Sequence, residues 1–280
     1  MFNYKWGEKV INVYDELGNI IDLSEIGLRC TSFIPESLSP QFVEETVEGL
    51  DGTYILGTTF TTRKLYTKFL LEAVDHLEYQ LLRDKIYRIF DPRKDRYIVD
   101  ARQPGKRWKA RASNAFRPEY INYSTGQFEL DFSVAFPYAE SIGTSLDPII
   151  FDSGLWQMSQ GLLSDIDIVY KHSTTSFSIY NAGDIELDPR RLPLVISYKG
   201  SSTNLKIKNA TNNVEWIYTG TSNVSDSINL DGVRSTKNGL SITRATNKKV
   251  LSLAPGWNIF MLTGTNGSFE ITFDFRFYYI

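Results

Sequence analysis

The chain has one cysteine and two histidines in 280 residues. A single thiol, Cys30, excludes an intrachain disulfide and any metal site built on two or four cysteines. His76 and His172 leave little imidazole for acid–base chemistry or metal binding. No apolar run has the roughly 20 residues that a transmembrane helix takes. The longest charge-free stretch, 250–269, is interrupted by Pro255, Asn258, Gly264, Asn266 and Gly267. The first nine residues, MFNYKWGEK, lack an apolar centre and a small-residue cleavage site, so they do not read as a signal peptide. The expectation is a chain made in a cytoplasm, without membrane insertion. Nor does charge of one sign dominate. With 30 basic and 33 acidic residues the net charge is −3, which argues against nucleic acid as the main partner of the whole chain. The glycine-rich nucleotide loops, the His-Glu-x-x-His zinc motif and the Gly-x-Ser-x-Gly nucleophile elbow are all absent.

What is present is apolar and aromatic. Hydrophobic residues make up 42% of the chain, with 17 Phe, 16 Tyr and 5 Trp. That suffices for a packed core, and aromatic side chains suit a pleated, half-buried surface. The length points to two domains. Phe128–Phe136 places apolar residues at 128, 130, 132, 134 and 136, and Phe269–Tyr279 does so at every second position. Such alternation predicts strands with one face on a core, each closing a separate β domain. The Pro/Gly/Ser-rich stretch between them reads as a linker, 141–147, dividing domains 1–140 and 148–280.

One helix is predicted, near 75–90. Asp75-His-Leu-Glu78 resembles a capping box, and Leu77, Leu81, Leu82, Ile86, Ile89 and Phe90 recur at helical spacing until Asp91-Pro92. Strands are predicted around it at about 63–72, 96–101 and 107–113. In the second half, short strands at 177–180, 194–198, 205–208, 214–218, 227–230, 240–243 and 250–253 alternate with turn signals, which suggests a β-sandwich.

Charge is distributed in opposite blocks. Residues 83–117 carry 12 basic and 4 acidic side chains, whereas 8–51 carry 10 acidic and 2 basic. Aromatic residues interleave the basic block, a pattern compatible with nucleic-acid stacking. Equal and opposite patches in one domain fit better with registered association between copies. Catalytic material is thin. Cys30 with His76 offers in principle a thiol and its base, but free cysteine commonly packs as a small hydrophobe. The acidic groups Asp91/Asp95, Asp165/Asp167 and Asp184/Glu186/Asp188 read as solvated turn residues rather than a glycosidase pair. Four Asn-x-Ser/Thr matches, at Asn122, Asn209, Asn223 and Asn266, read as chance. No catalytic, metal or cofactor site is expected.

Several segments resemble one known family, the distal tail (Dit) proteins of long-tailed, non-contractile bacteriophages. They are Leu50–Thr53, Gly57–Phe60, Arg63–Leu65, Arg88–Phe90, Arg96–Val99 and Pro104–Arg111 in the first half. In the second half they are Phe177–Gly183, Pro193–Ile196, Leu253–Asn258 and Ile271–Phe277. The resemblance implies a mostly β virion protein without enzymatic activity. Its N-terminal domain would form a six-fold ring at the distal end of the tail. Its C-terminal domain would be a galectin-like or carbohydrate-module-like sandwich. The ring would join the tail-tube ring above to the tail-tip or tail-lysin protein below, with DNA leaving through the lumen, and would be assembled in the host cytoplasm. Receptor-binding proteins or a host surface glycan would be met by the C-terminal domain. The interface is expected between Arg88, Arg93, Lys94, Arg96, Lys106 and Arg107 of one copy and Glu44, Glu45 and Glu48 of another, or of a neighbouring tail ring. Contact of the two blocks within one subunit stays open. So do two other readings, a lectin-like adhesion protein using Trp216 or Trp257, and a cell-wall hydrolase.

Overall fold

The computed structural model describes residues 9–150, 153–162 and 168–280. The segments 1–8, 151–152 and 163–167, and with them Glu8, Asp165 and Asp167, lie outside the described residues. The chain divides into two compact units, Met1–Ala139 with Ile280, and Glu140–Tyr279. Both are mostly β, and the described residues contain one α-helix.

The first unit contains β1 (Ile11–Tyr14), β2 (Ile20–Ile21), β3 (Leu28–Pro35), β4 (Pro40–Glu45), β5 (Tyr54–Phe60) and β6 (Arg63–Glu72). It continues with α1 (His76–Ile89), β7 (Arg96–Asp100), β8 (Lys106–Ala112), β9 (Glu119–Tyr120) and β10 (Thr125–Val134). Seven of these strands form an antiparallel sheet in the order β2-β1-β7-β8-β10-β6-β3. Period-2 alternation sets the register. Leu65, Thr67, Phe69 and Leu71 of β6 are buried, as are Phe128, Leu130, Phe132 and Val134 of β10. Phe69 stacks on Phe128 at 5.2 Å and lies 5.5 Å from Phe90, which follows the helix.

The helix starts as its sequence requires. The Asp75 carboxylate accepts the N–H of Leu77 (2.9 Å) and Glu78 (2.8 Å), and Glu78 reaches back to the N–H of Val74 (2.6 Å). Its buried face differs from the expected one. Tyr79, Ile86 and the following Phe90 are inward, whereas Leu77 and Leu81 are 67% and 70% exposed. The leucines satisfy helical spacing on the opposite side, where Val74 is also exposed.

β11 (Ala139–Ser141) runs across the join between the units. The segment expected as a linker, 141–147, is instead built into the second unit. Ser141 and Ser145 are buried, and their hydroxyls donate to the carbonyls of Gly143 (2.6 Å) and Phe273 (2.8 Å). Small polar residues here satisfy buried backbone, a use that composition does not separate from a linker.

The second unit contains β12 (Lys171–His172), β13 (Ser176–Asn181), β14 (Leu194–Asn209), β15 (Val214–Ile217) and β16 (Thr221–Ser222). β17 (Ser227–Asp231), β18 (Arg234–Lys237), β19 (Leu240–Ser241), β20 (Gly256–Phe275) and β21 (Tyr278–Tyr279) follow. Two long strands organise it. β14 and β20 pair along their length, with register shifts after Gly200 and Ser202. The first half of β14 pairs with β17 and the second half with β15. The strands expected at 194–198 and 205–208 are therefore one strand that changes partners. Folding back brings Phe260 within 4.8 Å of Phe273, both fully buried. Residues 250–253, expected as a strand, hold only a bridge from Leu253 to Leu187.

Candidate assembly surface

The segment 40–60 forms a two-stranded sheet of its own, which the sequence reading did not predict. β4 pairs with β5 through Pro40–Phe60, Phe42–Thr58 and Glu45–Tyr54, with a bulge between Val43 and Glu44. Its root is fixed. The Glu36 N–H donates to the Lys64 carbonyl (2.9 Å) and the Thr61 N–H to the Ser39 carbonyl (3.0 Å). Arg63, 9% exposed, donates from Nε to the Glu36 carbonyl (2.5 Å). Phe60 meets the edge of Tyr138 at 6.4 Å.

Beyond that root the hairpin is uncovered. Phe42, Val43, Val47, Leu50, Tyr54, Ile55, Leu56 and Phe60 are between 41% and 64% exposed. Two strands alone are marginally stable in water, and contiguous exposed apolar surface of this kind marks an interaction site. Between Pro40 and Phe60 the charged residues are Glu44, Glu45, Glu48 and Asp51, with no Lys or Arg. The three glutamates are exposed and hold no ion pair among the described residues. The hairpin is thus an apolar arm with an acidic charge.

The basic block holds several local ion pairs, although its four carboxylates leave it strongly cationic. Arg83 pairs with Asp84 (3.0 Å), Arg93 with Asp91 (2.7 Å), Arg102 with Asp100 (2.7 Å), and Arg117 with Glu119 (3.4 Å). Asp95 receives Arg111 Nε and Lys109 Nζ (3.1 Å). The Arg93 hydrogen bonds hold the Asp91 carboxyl well below its ordinary range, and the hydrogen bond from Arg111 lowers that of Asp95. Arg96 corrects the expectation most sharply. It is 6% exposed, and its guanidinium donates to the carbonyls of Ile89 (2.6 and 2.9 Å) and Asp95 (2.8 Å), tying off the helix C-terminus. It has no surface to offer a partner. Arg107 lies over the Tyr97 ring, 4.1 Å from its centre, and Lys106 is half-buried. Arg88 on the outer side of α1, Arg93 and Lys94 remain exposed.

The thiol, imidazole and carboxylate singled out in the sequence have local partners of their own. Cys30 is buried, donates to the Ser32 carbonyl (3.2 Å), and has its thiol pushed up to about 12 by burial. His172 stacks on Phe177 at 4.3 Å, and burial lowers its pKa. Asp188 is paired with Arg190 at 2.8 Å. Among the described residues no cluster of three or more His, Cys, Asp or Glu is placed to hold a metal ion, and no helix is long and apolar enough to cross a membrane. Of the two tryptophans available to a lectin-like reading, Trp216 is 1% exposed in the core. Trp257 is 42% exposed, beside Tyr180 at 4.9 Å.

Residues 21–134 match the phage tail protein RIFT-related domain family. The fold is similar to that of the phage SPP1 Dit protein (gp 19.1), described as a paradigm of the hub adsorption apparatus in phages infecting Gram-positive hosts. The identity is 15%, the likeness covers 96% of this chain and 100% of that one, and the TM-score is 0.70. A chain of the phage p2 baseplate, in activated conformations with strontium and with calcium, is similar at TM-scores of 0.45 and 0.44. The identities are 11% and 12%, covering 96% and 95% of this chain and 98% and 97% of those. No curated protein matches the sequence. The expected resemblance to phage tail proteins is met in sequence over 21–134, and the likeness in fold to a distal tail protein extends over nearly the whole chain.

Proposed function

We propose that the protein is a non-enzymatic hub at the distal end of a phage tail. Copies associate through the first unit into a ring, six-fold as in the family it resembles, with a lumen for DNA. The ring joins the tail tube above to the tail-tip or tail-lysin protein below, after assembly in the host cytoplasm. The observation that carries this reading is the uncovered arm. An apolar, acidic hairpin with a fixed root needs an apolar, basic surface, and a neighbouring copy supplies one. The outer side of α1 carries Leu77 and Leu81, with Val74 exposed just before the helix, Arg88 exposed further along it and Lys94 exposed after it. Burying the arm removes apolar area from water at about 25 cal/mol per Å², and the opposite charges set the register.

Negative-stain microscopy of the purified chain tests this, beside a variant in which residues 40–60 are replaced by a short Gly/Ser turn. Rings from the full chain and single particles from the truncated one are expected. A full chain that stays monomeric both alone and with tail-tube rings overturns the hub reading. Rings from both chains keep the hub and overturn the arm as its contact.

A second reading for the second unit, a galectin-like glycan-binding sandwich, is favoured by Trp257. Trp257, Ile259 and Met261 share the outer face of β20, opposite Tyr180, Ser178 and Ser176 of β13. An exposed indole with a neighbouring phenol is a stacking platform. Binding on an array of bacterial surface glycans that disappears with Trp257→Ala supports this role; no binding by the wild type removes it and leaves receptor-binding proteins as the unit's partners.

A further inference from the structure

A second group of exposed apolar side chains lies in the first unit, at the start of α1. Leu77 and Leu81 on its outer stripe, Val74 just before it, and Tyr120, Ile121 and Tyr123 at the β9–β10 turn are each more than half exposed. The turn is fixed against the helix. Gln80 Nε2 donates to the Tyr120 hydroxyl (2.6 Å), the Tyr120 ring stacks on Tyr79 at 4.4 Å, and the Ala73 N–H donates to the Ser124 carbonyl (2.9 Å). The Asn122 side chain accepts the N–H of Ser124 (2.9 Å) and of Thr125 (2.8 Å), so Ile121 and Tyr123 stand on a braced tip. Contiguous exposed apolar surface of this kind marks an interaction site.

Charge divides the helix lengthwise. At its N-terminal end stand the carboxylates Asp75 and Glu78, which cap it. Further along, Asp84 is paired with Arg83 at 3.0 Å, while Lys85, Arg88 and Lys94 are exposed and hold no ion pair among the described residues. Arg88 falls on the same outward stripe as Leu77 and Leu81. The arm is divided in the same way. Its root half, 40–43 with 55–60, has no charged residue, and its outer half holds Glu44, Glu45, Glu48 and Asp51. The lengths agree as well. The seven residues of β5 span about 23 Å at the rise of a strand, and the 14 residues of α1 span about 21 Å at the rise of a helix.

We propose that the arm of one copy lies lengthwise along α1 of the next, with its uncharged root over Val74, Ile121 and Tyr123 and its acidic tip at Lys85, Arg88 and Lys94. The reverse orientation would set four carboxylates against Asp75 and Glu78 and leave the cations facing an apolar root. Each copy then gives an arm on one side and a helix on the other, the head-to-tail contact from which rings are built. This polarity rests on the hub reading, which itself requires only that the arm meets a neighbour.

Cross-linking of mixed copies tests the polarity. Four single-site variants of the full chain are needed: Thr58→Cys at the root, Asp51→Cys at the tip, Val74→Cys before α1 and Pro92→Cys after it. Chains are mixed in pairs, one of each pair carrying a size tag, assembled, and treated with a short bismaleimide. The wild type, whose Cys30 is buried, gives the background. Position 58 is expected to link to 74, and 51 to 92, with the crossed pairs at background. Rings in which 58 links to 92 and 51 to 74 overturn the polarity and leave the hub. Rings in which no pair links place the arm on another face and overturn it too. A wild type that forms no ring, alone or with tail-tube rings, overturns the hub reading and the polarity with it. Ile121→Ser with Tyr123→Ser should raise the concentration at which rings form by roughly tenfold or more, as loss of a buried anchor does, with the melting temperature of the monomer unchanged. Assembly by that variant at the wild-type concentration would remove the turn from the seat and overturn the proposal.

Discussion

The Tyr79 hydroxyl stands 2.1 Å from the point where a Cβ on Gly126 would lie. Tyr79 is the inward anchor of α1 and stacks on Tyr120 at 4.4 Å, so the ring has little freedom to withdraw. Gly126 is needed here for space, because any side chain would push the helix off β10. Gly126→Ala is therefore expected to lower stability by about 1–3 kcal/mol, the usual effect of overpacking a core. Gly57→Ala, where a Cβ meets nothing within 4 Å, is the control and should be nearly neutral. Thermal melts of the two variants beside the wild type check this.

The sequence made much of this unit legible, for a physical reason. β6, β8 and β10 bury one face and wet the other, and alternation reports that directly. The cap at Asp75 was equally readable, since it depends on residues within four positions. The buried face of α1 was not. Two apolar stripes run along it, and the choice of Tyr79 over Leu77 rests on Gly126 and Tyr120, which are distant in sequence. The arm gives no such signal, because both its faces are exposed, which removes the alternation. Its remaining signal was a run of β-branched and aromatic residues on either side of Gly49-Leu-Asp-Gly52. Arg96 looked like a surface charge because nothing local shows that its guanidinium caps the helix.

Cys30 should behave as a packing residue. Burial keeps the thiol protonated at neutral pH, and the thiolate is the reactive form. Reaction with a thiol reagent at pH 8 is expected to proceed only as fast as the first unit opens. Cys30→Ser should lower stability by about 1–3 kcal/mol, the range for a buried polar group that is poorly satisfied. Rapid labelling of the folded chain would show an accessible thiol and refute this view. His76→Gln and His172→Gln should leave ring formation intact, as judged by microscopy.

Acid should loosen the first unit through Asp95. Arg111 and Lys109 stabilise its charged form, so its pKa when folded lies below the unfolded value of about 3.9. The resulting stability is present above the unfolded value and is lost as the pH falls through the folded one. Asp95→Asn removes that contribution at neutral pH, costing about 0.5–1.5 kcal/mol. Urea unfolding at pH 7 and pH 3 should show a smaller pH effect in the variant. Equal losses in both would assign the acid sensitivity to other carboxylates.

The arm makes the most specific prediction, through its charge. Arg88→Glu with Lys94→Glu reverses two exposed cations, and exposed substitutions usually change stability by no more than about 0.5 kcal/mol. The melting temperature of the monomer should therefore stay near wild type while ring formation is lost at low salt. Each exposed pair is worth only about 0.2–1 kcal/mol, but a closed ring repeats the pair at every interface, and the added like-charge repulsion repeats with it. Restoring opposite signs with Glu44→Lys and Glu45→Lys on the arm should recover rings in the four-substitution chain. The arm substitutions alone should be as defective as the helix substitutions alone. Salt discriminates further. At about 1 M the Debye length falls to about 3 Å, so any residual apolar association should become insensitive to these charges, and all four proteins should converge. Loss without rescue would keep the cations in an interface and give them a partner other than the arm, such as the tail-tube ring. Unchanged assembly of the first variant at both salt concentrations would remove Arg88 and Lys94 from the interface altogether, and the arm would then have to seat on another face of its neighbour.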